Sequence, residues 1–154
     1  MDILRKGQGA TEYLVLLAVV LIIALVSIAL LGFFPGLAAD ARITQSQAYW
    51  RGEARPFAIL DNTFNSTGAG ALVIQNNDAS GTFTITALGV ANGSASGMPQ
   101  SFAPGETKTV AITGAQTGSA GGVYDLNVTV TYTTPNGVTS KQYGAKNLIG
   151  KFVS

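Results

Sequence analysis

Hydrophobic and polar positions fall into two regimes that meet near residue 50. From Leu14 to Leu31 every position is apolar except Ser27, and no charge occurs between Glu12 and Asp40. These eighteen residues, at helical rise, cover about 27 Å, close to the hydrocarbon thickness of a bilayer. The stretch therefore predicts a helix able to span a membrane. Phe33 and Phe34 prolong the run to Pro35-Gly36. There the missing N–H and the freedom of glycine predict a kink or an end to the first helical stretch. Residues 37–50 hold good helix formers and no glycine, with apolar positions at 37, 38, 41, 48 and 49. That pattern predicts a moderately amphipathic continuation whose apolar side packs on the domain that follows, with Tyr49 and Trp50 at the junction.

From Arg55 the pattern changes to short β-rich runs separated by Gly, Asn, Ser and Pro. The clearest runs over residues 124–132, where Tyr124, Leu126, Val128, Val130 and Tyr132 alternate with Asp125, Asn127, Thr129 and Thr131. One face of that strand should be buried and the other wet. Residues 82–87 and 107–113 show the same period, and the continuously apolar run 71–74 predicts a more central strand. Pro135-Asn136-Gly137 predicts a hairpin between the 124–132 strand and one over 138–143. Residues 57–60 and 148–153 supply candidate first and last strands, while 91–100 and 113–122 read as polar loops. Six or seven strands in about a hundred residues is the pattern of an antiparallel, immunoglobulin-like sandwich. The class is α+β: a long hydrophobic helix, kinked near Pro35, followed by a β-sandwich head.

Composition narrows the chemistry. Mean hydropathy is +0.32 and only 11% of the 154 residues are charged, an excess carried by the N-terminal run. Nine Lys and Arg stand against eight Asp and Glu, and no basic run exceeds Arg5-Lys6, so nucleic-acid binding has no electrostatic footing. Cysteine and histidine are absent, which excludes disulfides, thiolate or imidazole metal sites, Ser–His and Cys nucleophiles and histidine acid–base catalysis. No catalytic residue, metal ligand or cofactor is expected.

Arg5 and Lys6 precede the apolar span while Asp40 and Arg42 follow it, favouring a cytoplasmic N-terminus and an exported C-terminal portion. By segment statistics three readings stand open. One is a permanent single-span anchor that presents a binding module. Another is a secretory signal peptide with a small-x-small cleavage site at Ala39-Asp40-Ala41, although the apolar run exceeds the 7–15 residues of that class. The third arises from what precedes the run. A carboxylate at the mouth of a membrane helix usually has a specific partner. Were the chain cut after Gly7, Gln8 would become the first residue and Glu12 would lie one turn away. The new α-amino group would then suit a Glu12 carboxylate on a neighbouring chain.

Arg5-Lys6-Gly7, then Gln8, Glu12-Tyr13 and a long apolar helix, resembles the class III signal sequence of archaeal type IV pilin-like proteins. The resemblance implies that a prepilin peptidase cleaves between Gly7 and Gln8, leaving residues 1–7 as leader, 8–52 as helix and 53–154 as head. It further implies that Glu12 sets the assembly register and that the helix, with Leu14, Leu17, Leu21, Leu25, Ile28 and Leu31, becomes the core of an extracellular homo-oligomeric filament. The expected partners are the membrane before assembly, the peptidase, and an assembly platform with its ATPase; the expected role is adhesion.

Three N-glycosylation triplets occur, beginning at Asn65, Asn92 and Asn127, the first two in predicted loops and the third on a wet strand face. Asn76-Asn77-Asp78 lacks the spaced acids of a calcium loop and reads as a turn. Lys141, Lys146 and Lys151 solvate a face or guard an edge strand, and Trp50 reads as a core anchor.

Overall fold

The computed structural model describes the backbone of residues 3–154 and the side chains of residues 9–32 and 35–154. Helix α1 (Ile3–Ala48) leads through one π-helical turn (Tyr49–Glu53) into ten strands. These are β1 (Phe57–Phe64), β2 (Gly70–Asn76), β3 (Phe83–Val90), β4 (Gly93–Ala95), β5 (Gln100–Phe102), β6 (Thr107–Thr113), β7 (Val123–Leu126), β8 (Val128–Thr133), β9 (Thr139–Tyr143) and β10 (Leu148–Lys151). The class is α+β, a long apolar helix followed by an antiparallel β-rich domain. The chain divides into two compact units, the first ending at Asp40 and the second being Ala41–Ser154.

In the first unit α1 continues through Pro35. Of the two outcomes expected there, an end to the helix does not occur. Proline removes one N–H from the ladder, at a cost of about 3 kcal/mol. Its direct neighbours Phe34 and Gly36 are poor helix formers, but long helix-forming runs, 14–31 and 37–48, lie before and after them, so propagation resumes on the far side.

In the second unit one antiparallel path runs β1-β2-β6-β4-β3-β8-β9, β5 also pairs with β3, and β10 pairs with β7 as a separate two-stranded sheet. Alternation explains why these segments are strands. In β6, Val110 and Ile112 are buried between exposed Thr109, Ala111 and Thr113. In β3, Phe83 and Ile85 are buried, then Leu88 and Val90, a slip of one residue in the period. A bulge between Ile85 and Ala87 absorbs that slip, so both halves of the strand face the core. The continuously apolar run 71–74 lies in β2, between β1 and β6, as a central position predicts. The β8–β9 hairpin pairs Thr133 with Thr139 across the Pro135-Asn136-Gly137 turn, as expected.

Two expectations are corrected. The strand predicted over 124–132 is two strands: β7 pairs with β10, β8 pairs with β3 and β9, and the chain changes sheets at Asn127. Alternation survives the change, because Tyr124, Leu126, Val128 and Val130 are all buried, and so the pattern alone gives no sign of it. The loop predicted over 91–100 contains β4, too short and too small in its side chains to register as a strand.

The core gathers Trp50, Phe57, Phe64, Leu72, Ile85, Phe102, Tyr124, Leu126, Leu148 and Phe152, among others. At about 1.5–3 kcal/mol for each large apolar side chain fully buried, this cluster is the main stabilising element of the head. Edge-to-face aromatic contacts link Phe64 to Tyr124 and Tyr124 to Phe152. The two ends of the sheet path, β9 and β1, are joined by one side chain. Buried Gln142 donates from Nε2 to the Phe57 carbonyl (2.8 Å) and accepts at Oε1 from the Phe57 N–H (3.0 Å). A carboxamide thus takes the place of a strand partner.

Candidate assembly surface

In the first unit, the surface of α1 over residues 14–32 is apolar on every side and exposed. Its large side chains range from 40% exposure at Leu17 to 71% at Leu31, with Leu14, Leu21, Leu25 and Ile28 in between. The segment is long and apolar enough to cross a membrane. A helix hydrophobic all round belongs in lipid or inside an assembly, not in water. The only hydroxyl within the run, Ser27, donates to the carbonyl of Ile23 at 2.8 Å. The rod therefore presents no unmet side-chain donor to an apolar environment.

Glu12 stands exposed at the start of this surface, one turn before Val15 and Leu16. Among the described residues it has no ion-pair or hydrogen-bond partner. Gly7 and Gln8, the predicted cleavage pair, lie outside the residues whose side chains are described. Gly36 follows Pro35 within the helix, with open space where a Cβ would stand.

In the second unit, the end of α1 and the turn after it dock on the head through a face that differs in part from the one expected. Tyr49 and Trp50 pack at the junction, as expected, but Ala41 and Ala48 are exposed, and Ile43, Ser46 and Gln47 are the positions wholly or partly buried. These positions still follow helical spacing, but a serine occupies the centre. Ser46 is 1% exposed; its Oγ donates to the Asn147 carbonyl (2.7 Å) and accepts from the Ile149 N–H (3.0 Å). A short hydroxyl lets the helix approach the start of β10 and satisfy two backbone groups that a larger apolar residue would strand. Sequence reasoning missed Ser46 because burial of a small polar residue leaves no mark in a hydrophobic pattern.

Around this contact Arg42 pairs with Asp125, which also accepts from Asn147 Nδ2 at 2.7 Å. Both ion-pair side chains are well exposed, so the pair contributes at most about 1 kcal/mol and serves chiefly to orient the helix end. Tyr49 Oη accepts from the Ala145 N–H at 3.0 Å. Trp50 is a buried core anchor, as expected, with its ring against Gly144, where an added Cβ would stand 2.4 Å from the indole. Its indole N–H has no hydrogen-bond partner among the described residues.

Elsewhere in the head, Asn76 is fully buried and its carboxamide is spent on the turn: Nδ2 donates to Gly81 O and Phe102 O, and Oδ1 accepts from the Asp78 N–H. Hydrogen bonds from Ser80 hold the Asp78 carboxyl below its usual range. The Ala103 N–H and then Lys108 do the same for Glu106. Burial, and after it the charge of Asp61, pushes the Tyr124 phenol up to about 12. Among the described residues no three acidic side chains converge as a metal site. No known protein family matches the sequence, and comparison with curated proteins finds none that is similar.

Proposed function

We propose that this chain is the subunit of an extracellular filament of the archaeal type IV pilin kind, made as a membrane-inserted precursor and polymerised through its N-terminal helix. The observation that carries the reading is an exposed helix, apolar on every side, with a single carboxylate at its mouth, followed by a folded β-rich head. Supporting it is the Arg5-Lys6-Gly7-Gln8 arrangement that precedes the carboxylate.

In this mechanism the membrane stores the helix at low cost, because lipid tails are as apolar as leucine. Lateral association then needs a specific mark, and Glu12 supplies it. An incoming subunit settles where this carboxylate meets the free α-amino group of Gln8 on a neighbour, since a buried charge without its partner is penalised by several kcal/mol. Once out of the bilayer, roughly fifteen large aliphatic side chains are buried against other copies. At about 1.5–3 kcal/mol each, this is on the order of 20–45 kcal/mol per subunit as an upper bound. The filament is then held by its helices, while the heads meet surfaces and solvent and carry adhesion. The head is read as immunoglobulin-like, with β1-β2-β6 and β3-β8-β9 facing one another across the core and β4 bridging them.

N-terminal sequencing of the native protein, with electron microscopy of cell-surface material, tests the proposal. A start at Gln8 in protein recovered from filaments supports it. A start near Arg42 points to ordinary secretion, and an intact Met1 in a dispersed membrane species points to an anchored binding module; either result overturns it.

A further inference from the structure

The three glycosylation triplets, far apart in sequence, meet at one end of the head. Asn65 follows the end of β1, Asn92 lies in the two-residue turn between β3 and β4, and Asn127 stands at the change of sheet before β8. Backbone contacts tie these turns together. The Gly118 N–H donates to Ser66 O (3.1 Å), the Ala115 N–H to Gly68 O (2.9 Å) and the Ala91 N–H to Asn127 O (2.8 Å). Gly93 lies so close to Ala115 that an added Cβ would fall 2.5 Å from its nitrogen. The opposite strand ends, at Phe57, Asn76, Phe83 and Thr133, carry no such triplet.

The chemistry of transfer needs an amide nitrogen that the fold does not use. Asn76 and Asn147 spend their Nδ2 atoms on hydrogen bonds within the fold. Asn65 uses only its oxygen, accepting from the Thr67 N–H, the Thr67 hydroxyl and the Ala69 N–H. Asn92 and Asn127 are exposed, and among the described residues neither side chain has a hydrogen-bond partner. At all three, Nδ2 can be substituted without breaking a hydrogen bond the head uses. Asn92 is the best presented. It occupies a hairpin tip, its following residue is glycine, and the Ser94 hydroxyl is exposed.

We propose that this end of the head is a glycan-bearing face and that Asn92 is its principal N-glycosylation site. The inference rests on export of the head in the reading above. Transfer forms a bond between Asn92 Nδ2 and the anomeric carbon of a sugar and breaks that carbon's bond to the phosphate oxygen of a lipid-linked sugar donor. The lipid phosphate leaves, and the amide gives up one proton to a base of the transferring enzyme.

Mass spectrometry of peptides from the protein isolated from its native cells tests this. A sugar mass on the Asn92 peptide, absent in a Ser94→Ala variant that retains Asn92, is the expected result. An unmodified Asn92, sugar at Asn65 or Asn127 alone, or a gain of about one mass unit, the mark of deamidation at Asn92-Gly93, overturns it. Protease treatment of intact cells separates the two levels: a cleavable but sugar-free head overturns this inference alone, whereas a protected head overturns export itself.

Discussion

Gln142 and Phe57 close the sheet of the head, one carboxamide meeting both backbone groups of a residue on the opposite edge strand. An antiparallel path left open there would expose core between β9 and β1, so a side chain in the middle of β9 acts as a strand of length one.

Replacing Gln142 with Leu keeps the volume but strands a buried N–H and a buried C=O. The loss of stability should be about 2–4 kcal/mol, read as a lower urea midpoint with an unchanged slope. Gln142→Glu retains an acceptor for the Phe57 N–H but loses the donor to its carbonyl. A Leu variant as stable as the parent would show that the closure is carried by packing alone.

Ser46→Ala removes the hydroxyl from between Asn147 and Ile149. Two buried backbone groups lose their partner, at about 1–3 kcal/mol. Hydrogen exchange should rise at the Ile149 amide before the central strands are affected. Unaltered protection at Ile149 would remove Ser46 from the account of how the helix end docks.

Glu12→Gln should leave membrane insertion and leader removal intact and impair polymerisation, so mature subunits accumulate in the membrane. Filaments in normal number, counted by electron microscopy, would dismiss Glu12 as the register mark.

Replacing Gly7 with a bulky residue should yield an uncut precursor in the membrane fraction. A mature mass identical to that of the parent protein refutes cleavage after residue 7.

Alkaline pH should weaken the head through Tyr124. Its phenol ionises near 10 in an unfolded chain and at about 12 in the fold. Between those values the folded state holds a proton that the unfolded state has released, so stability is complete below pH 10 and falls as pH rises through the window. The expected slope is on the order of 1 kcal/mol per pH unit. Tyr124→Phe loses the hydrogen bond to Asn62 and should also lose this slope. Denaturation midpoints from about pH 9 to about pH 12 provide the check; an equal slope in the variant assigns the alkaline loss to other groups.

Much of the fold was legible because hydrophobic periodicity records what faces the core. Val110 and Ile112 marked β6, and the alternation from Tyr124 through Val130 marked a buried face correctly even though the strand divides. What periodicity omits is pairing. Asn127 changes sheets without disturbing the alternation, and the bulge at Thr86 shows only as a slip between Ile85 and Leu88. Burial of polar groups by hydrogen bonding is equally silent: Ser46, Asn76 and Gln142 look like surface residues in sequence, and each holds the head together. The rod of the first unit was plain from its composition. Glu12 was conspicuous because a single charge beside twenty-seven uncharged positions has few reasons to be there.

The aromatic chain from Phe64 through Tyr124 to Phe152 also bears on when the head can take shape. Its members are separated by 60 and 28 residues, and Phe152 lies beside Gly118 and Tyr124 in the sealed interior. A structure built on such distant pairings forms slowly and only after its last member has been synthesised. Until the ribosome has passed Phe152 the interior lacks its closing member, and the polypeptide stays an open thread.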